Sequence, residues 1–122
     1  MRYRLLVAED EPQMREMLRD YFAAKGFDVT LCPNGERALA VLKEHAFDIV
    51  FLDIMMPGLD GLSVCRAVRR ESAVPVIFLT ARSGEENELL GYGFGADDYV
   101  TKPFSLPVLH AKALALIKRA KG

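Results

Sequence analysis

The sequence predicts an α/β domain, a parallel sheet covered by helices on both faces. Three observations carry that prediction. Short apolar runs alternate five times with stretches of helical periodicity, and the connections between them are short. The run Ile49-Val50-Phe51-Leu52 is apolar at every position, as a strand buried on both faces must be. It stops at Asp53, and a carboxylate at the carboxyl end of a parallel strand lies where open α/β sheets bind ligands.

Taken in order, Leu5 to Ala8 forms a first strand that ends in three acids, Glu9, Asp10 and Glu11. Pro12 suits the first turn of a helix, and Met14, Met17, Leu18, Tyr21 and Phe22 recur at helical spacing up to Gly26. Phe27 to Leu31 alternates and predicts a second strand. Asn34 or Gly35 opens the second helix, with Ala38, Leu39 and Leu42 on its inner face. After the central strand, Met56-Pro57-Gly58 breaks the chain into a loop. Asp60-Gly61 then offers a cap for a third helix carrying Leu62, Val64, Cys65 and Val68.

Val74 to Leu79 is the fourth strand, ending at Thr80-Ala81-Arg82. The fourth helix, about Glu85 to Phe94, has the poorest propensity. Gly91 and Gly93 fall inside it, and each interior glycine costs about 1 kcal/mol relative to alanine. Asp98 to Thr101 is the fifth strand, closed by Lys102-Pro103-Phe104, and a last helix runs from Leu106 to about Ala120. On a helical wheel Leu109, Ala113, Leu116 and Ala120 share the face expected to meet the core. Val108, Ala111, Leu114 and Ala115 then form a small, apolar outer surface.

A chain of 122 residues is long enough for one domain with a real core. Its formal net charge of −1 argues against a nucleic-acid surface, and Arg66, Arg69 and Arg70 read as a solvated helix face. Cys32 and Cys65 lack CxxC or histidine spacing and are expected to be reduced core thiols. The start of the chain resembles no signal peptide and no apolar run has membrane length, so a cytoplasmic location without membrane contact is expected. His45 and His110 have no ligand partner at useful spacing, and no transition-metal site is expected.

In such a fold all strand carboxyl ends lie along one edge. The first strand brings Glu9 and Asp10 there, the third Asp53, the fourth Thr80 and the fifth Lys102. Three carboxylates in one crevice repel each other, and a hard divalent cation with oxygen ligands, Mg²⁺ above all, offsets the repulsion. A lysine and a hydroxyl on the same rim suit phosphoryl oxygens. The set is a place to make and break an acyl phosphate on a carboxylate nucleophile. Taken singly, each residue has a plainer reading. Glu9 and Asp10 could complement a helix dipole, as Glu11 is expected to do, Thr80 could be a strand-end hydroxyl, and Tyr99 a half-buried aromatic.

The motifs AEDE (8–11), LDIMMPGLDG (52–61), VIFLTAR (76–82) and GADDYVTKPF (95–104) together resemble a response-regulator receiver domain over nearly the whole chain, most like the OmpR-type subfamily. That resemblance implies the flavodoxin-like, doubly wound (βα)5 arrangement with strand order 2-1-3-4-5. It implies Asp53 as phosphoacceptor and Mg²⁺ (or Mn²⁺) held by Asp10, Asp53 and the backbone carbonyl of Met55, with Glu9 acting mostly through water. It further implies Lys102 on the phosphoryl oxygens, Thr80 as the switch hydroxyl, Tyr99 as the aromatic that moves with it, and a Lys102-Pro103 bond that is often cis. The implied partner is a sensor histidine kinase. Members of the subfamily carry a C-terminal winged helix for DNA, so residues 1–122 are expected to be the receiver, with the effector outside this chain. A single-domain receiver acting by protein contact is the alternative.

Some positions depart from that subfamily. Glu9 replaces the commoner aspartate and keeps its charge. On the face made by helix four, strand five and helix five, Glu88 stands where a base is usual, Val108 where an acid is usual and Leu114 where an arginine is usual. Asp97, Asp98 and Arg119 are kept there. A homodimer through this face is therefore expected to rest on apolar packing more than on ion pairs. Two other classes fit less well. A haloacid-dehalogenase-like phosphatase needs a second aspartate two residues after the nucleophile, where this chain has Met55. A flavin carrier needs a glycine- and hydroxyl-rich loop where it has acids.

Overall fold

The computed structural model describes residues 2–81 and 84–122, so Arg82, expected at the end of the fourth strand, lies outside the described residues. Five strands, β1 (Arg4–Ala8), β2 (Asp28–Cys32), β3 (Ile49–Leu52), β4 (Val76–Thr80) and β5 (Asp98–Thr101), form one sheet in the order β2-β1-β3-β4-β5, each neighbouring pair parallel. Between and after them lie α1 (Pro12–Ala24), α2 (Gly35–Glu44), α3 (Gly61–Arg69), α4 (Glu85–Gly93) and α5 (Leu106–Lys121). The Lys102-Pro103 peptide is cis.

The strand period of two sorts the core into two layers. Leu6, Val50, Leu52, Val76 and Phe78 face α2 and α3 with Val64, Cys65 and Val68. Leu5, Val7, Ile49, Phe51, Ile77 and Leu79 face α1 and α5 with Leu18, Phe22, Leu109, Ala113 and Ile117. β3 and β4 are buried at every position, as strands covered on both faces must be. Pro75 cannot donate to a ladder, so β4 begins at Val76 and not at Val74, although the Pro75 carbonyl still accepts from Val50 N at 2.9 Å. Cys32 and Cys65 are free and buried, and burial pushes both thiols up to about 11.

Helix starts follow local chemistry. Asn34, Asp60 and Ser105 each accept a backbone N–H three residues on, at 2.8, 2.8 and 3.3 Å. α4 has no such cap. It starts after Gly84 at φ 104°, and Gly91 is the one buried position among its described residues. That glycine is required by close approach, because a Cβ there would sit 2.7 Å from the Tyr99 ring.

α5 corrects the wheel. Its core face is Leu109, Ala113 and Ile117, while Leu116 is half-buried and Ala120 exposed. Leu114, expected on the outside, is half-buried and packs against the same core, whereas Val108 is 53% exposed. Arg69 is a second correction. It is no solvated side chain, since Nε donates to Gly95 O (2.8 Å), Nη2 pairs with Asp97 Oδ2 (2.7 Å) and Nη1 donates to Val74 O. Asp97 Oδ2 also accepts from Val76 N at 2.8 Å, so one clip ties the end of α3 to the start of β4 and the turn before β5. Among the described residues no helix is long and apolar enough to cross a membrane.

Candidate functional site

Register brings the acids together. Ala8 pairs with Leu52, so the next residues, Glu9 and Asp53, leave adjacent strands at one level. Asp53 N donates to Ala8 O (3.0 Å) and Glu9 N to Cys32 O (3.1 Å), which extends the ladders one step past the strand ends. On the far side Thr80 pairs with Thr101, and Lys102 N donates to Thr80 O at 2.8 Å. α3 begins close beneath Asp53 because residue 61 is glycine, where a Cβ would lie 2.2 Å from the Asp53 carbonyl oxygen.

Lys102 Nζ joins two of the carboxylates, at 2.6 Å from Glu9 Oε1 and 3.0 Å from Asp53 Oδ2. Their other oxygens take backbone donors, Glu11 N on Glu9 Oε2 (3.2 Å) and Met55 N on Asp53 Oδ1 (3.0 Å). Glu9 is 2% exposed and Asp53 6%, while Asp10 is open to solvent. Burial raises the Glu9 carboxyl to about 7, the Lys102 hydrogen bond opposing and the Asp53 charge adding to the effect. Burial lowers Lys102, but its hydrogen bonds to Glu9 and Asp53 outweigh that and raise it. Among the described residues one ammonium thus bridges two of the three acids, and negative charge is left over.

One oxygen from each of Glu9, Asp10 and Asp53 lies within 4.8 Å of the others. An all-oxygen set carrying surplus negative charge suits a hard divalent cation. Thr80 is fully buried at the end of β4, on the same rim. The Tyr99 ring is buried beside Gly91 and meets Phe78 edge-on at 6.3 Å.

The expected partner-face residues are more scattered. Glu88, Val108 and Arg119 are exposed. Asp98 pairs with Lys112 Nζ (3.0 Å) and accepts from Tyr92 Oη (3.4 Å). Asp97 pairs with Arg69 and accepts from Val76 N while its side chain stays exposed, and Leu114 is half-buried against the core. Sequence reasoning missed Leu89 and Leu90, 63% and 46% exposed on α4. It also missed Arg15, whose Nη1 donates to the carbonyls of Glu9 (2.9 Å) and Asp10 (3.4 Å). An arginine one turn into a helix behind an acidic loop was the available signal.

The family model described as response regulator receiver domain matches residues 5–114. The chain is 47% identical over 118 residues to the transcriptional activator protein PfeR of Pseudomonas aeruginosa, covering 97% of this chain and 39% of that protein. It is 42% identical over 119 residues to the DNA-binding response regulator MtrA of Mycolicibacterium smegmatis, covering 98% and 52%. Among solved structures, the Francisella response regulator 1452 receiver domain superposes with a TM-score of 0.93 at 35% identity, covering 97% of this chain and 98% of that one. The chain therefore spans about half or less of the length of these curated relatives.

Proposed function

We propose that this chain, which belongs to the response regulator receiver family, takes a phosphoryl group on Asp53 from a histidine kinase or a small donor. The observation that carries this reading is a buried aspartate at the end of the central strand, held at 3.0 Å by Lys102 beside two further acids. A carboxylate oxygen of Asp53 attacks phosphorus and an O–P bond forms. The P–N bond of a phosphohistidine donor breaks, and the imidazole nitrogen keeps its electron pair and takes a proton from water.

Lys102 then holds phosphoryl oxygens by charge-assisted hydrogen bonds, and Thr80 supplies a hydroxyl from the same rim. Glu9, Asp10, Asp53 and the Met55 carbonyl would hold Mg²⁺ or Mn²⁺. When bound, such a cation neutralises charge shared by the carboxylates and the phosphoryl oxygens. The domain is a phosphoacceptor that slowly loses the group to water and not a turnover enzyme, because Met55 offers no acid or base two residues after Asp53.

The change is relayed through Thr80 and Tyr99 to the surface of α4, β5 and α5, where a second copy or another partner binds. The output is a DNA-binding effector, a reading supported by relatives named as a transcriptional activator and a DNA-binding response regulator. The test is incubation with acetyl phosphate or phosphoramidate and Mg²⁺, followed by intact mass. One phosphoryl group is expected on the wild type and none on Asp53→Asn or in excess chelator. Full phosphorylation of Asp53→Asn would sink the proposal.

A further inference from the structure

We propose that Arg15 is a positioning residue, fixing the backbone of Glu9 and Asp10 so that their carboxylates are set to share a divalent cation with Asp53. The inference rests on reading those three acids as the cation-holding set. Glu9 and Asp10 occupy the connection between β1 and α1, where ordinary helix capping is missing. Glu11 at the N-cap makes no side-chain bond, and Pro12 has no N–H to offer. The sheet holds Glu9 through its amide, on Cys32 O. That ladder goes no further, and Asp10 stands exposed beyond it.

Arg15 closes this gap. Long helical side chains lean toward the N-terminus, and Nη1 reaches back to the Glu9 carbonyl at 2.9 Å and the Asp10 carbonyl at 3.4 Å. Its own amide donates to Glu11 O at 3.0 Å, so both ends of the residue grip the loop. The guanidinium meets carbonyls and leaves the carboxylates to Lys102 and to a cation. Groups that orient metal ligands in this way commonly contribute tenfold or more to affinity.

Position and charge predict opposite signs. If Arg15 acted only as a nearby cation, its removal would tighten cation binding. If it positions the loop, removal weakens binding. Mg²⁺ titration by calorimetry on wild type, Arg15→Met and Arg15→Lys separates the two, with hydrogen exchange at the Asp10 and Glu11 amides and the thermal midpoint in chelator as companion readings. Arg15→Met is expected to weaken Mg²⁺ about tenfold, to speed exchange at both amides and to leave the midpoint close to wild type. Arg15→Lys keeps the charge without the rigid fork and should fall between. Equal or tighter Mg²⁺ binding in folded Arg15→Met overturns the proposal, and Arg15→Lys decides in the same way if the methionine variant does not fold. Wild type that binds no Mg²⁺ would instead overturn the reading of the acids on which this one rests.

Discussion

Lys102 Nζ lies 3.0 Å from Asp53 Oδ2 although the strands they follow are separated by β4, so the lysine spans the end of that strand. The pair and Glu9 form a small buried ionic cluster. Such clusters gain little net stability, but taking away one member leaves an uncompensated charge.

Lys102→Ala should therefore cost roughly 1–3 kcal/mol in chelator, where Glu9 loses the Lys102 ammonium. Mg²⁺ at saturation should recover much of that, while phosphorylation from a small donor stays impaired. Rate and thermal midpoint are to be measured on the same protein. A variant that phosphorylates normally yet melts early in both buffers would make the lysine merely structural.

His110 supplies a pH test away from the site. Its ring sits edge-on to Tyr21, Phe22 and Phe27, at 6.3, 5.9 and 5.9 Å. Burial first, then the Lys25 charge, lowers its value from 6.5. The unfolded chain thus takes up the proton before the folded one, and the stability this residue contributes above that value is lost as pH falls through it. The midpoint of wild type relative to His110→Gln should drop as pH goes from about 7.5 to 5.5. A difference that is flat or rises on acidification would contradict this.

α4 should respond most to the phosphoryl group. It has no side-chain cap at its start, contains Gly91 and Gly93, and buries Gly91 alone among its described residues. Segments that switch come from that low-stability end. Hydrogen exchange over residues 84–94, with and without beryllofluoride, is expected to show weak protection that changes on binding. Uniform protection indifferent to the mimic would refute it.

α4 itself carries Leu89, Leu90 and Tyr92, and α5 carries Val108, all exposed. Association of the activated domain through these residues should depend weakly on salt, because screening acts on charge and not on apolar area. Sedimentation at low and high salt is the check, with Val108→Arg expected to break the complex. Leu114→Arg would be a poorer probe, since Leu114 packs inward and the change would strain the core. A complex dissolved by salt, or one untouched by Val108→Arg, would show that other contacts hold it.

Much of this architecture is legible in the residues because period and punctuation agree. Ile49 to Leu52 has no polar face to expose, and Asp53, Glu9, Thr80 and Lys102 each follow or close a strand. α5 is where periodicity fails. With Leu109, Ala111, Ala113, Leu114, Ala115, Leu116 and Ile117 nearly all apolar, a wheel cannot choose between Leu116 and Ile117, and packing decides. The Arg69–Asp97 bridge was invisible for another reason. Its partners are 28 residues apart, and nothing local distinguishes Arg69 from its solvated neighbours Arg66 and Arg70.

That bridge has a mechanical meaning. Arg69 grips Gly95 and Asp97 just past the last turn of α4, at the edge of the sheet opposite the acids. A rod fastened at one end swings about a fulcrum. Nine residues of helix make a lever about 13 Å long, so a tilt of roughly 10° carries the Gly84 end through about 2 Å while the Gly95 end stays in place. A motion relayed from Thr80, as proposed, would be largest at the Gly84 end and vanish at the clip, and it would carry the exposed Leu89 and Leu90 with it.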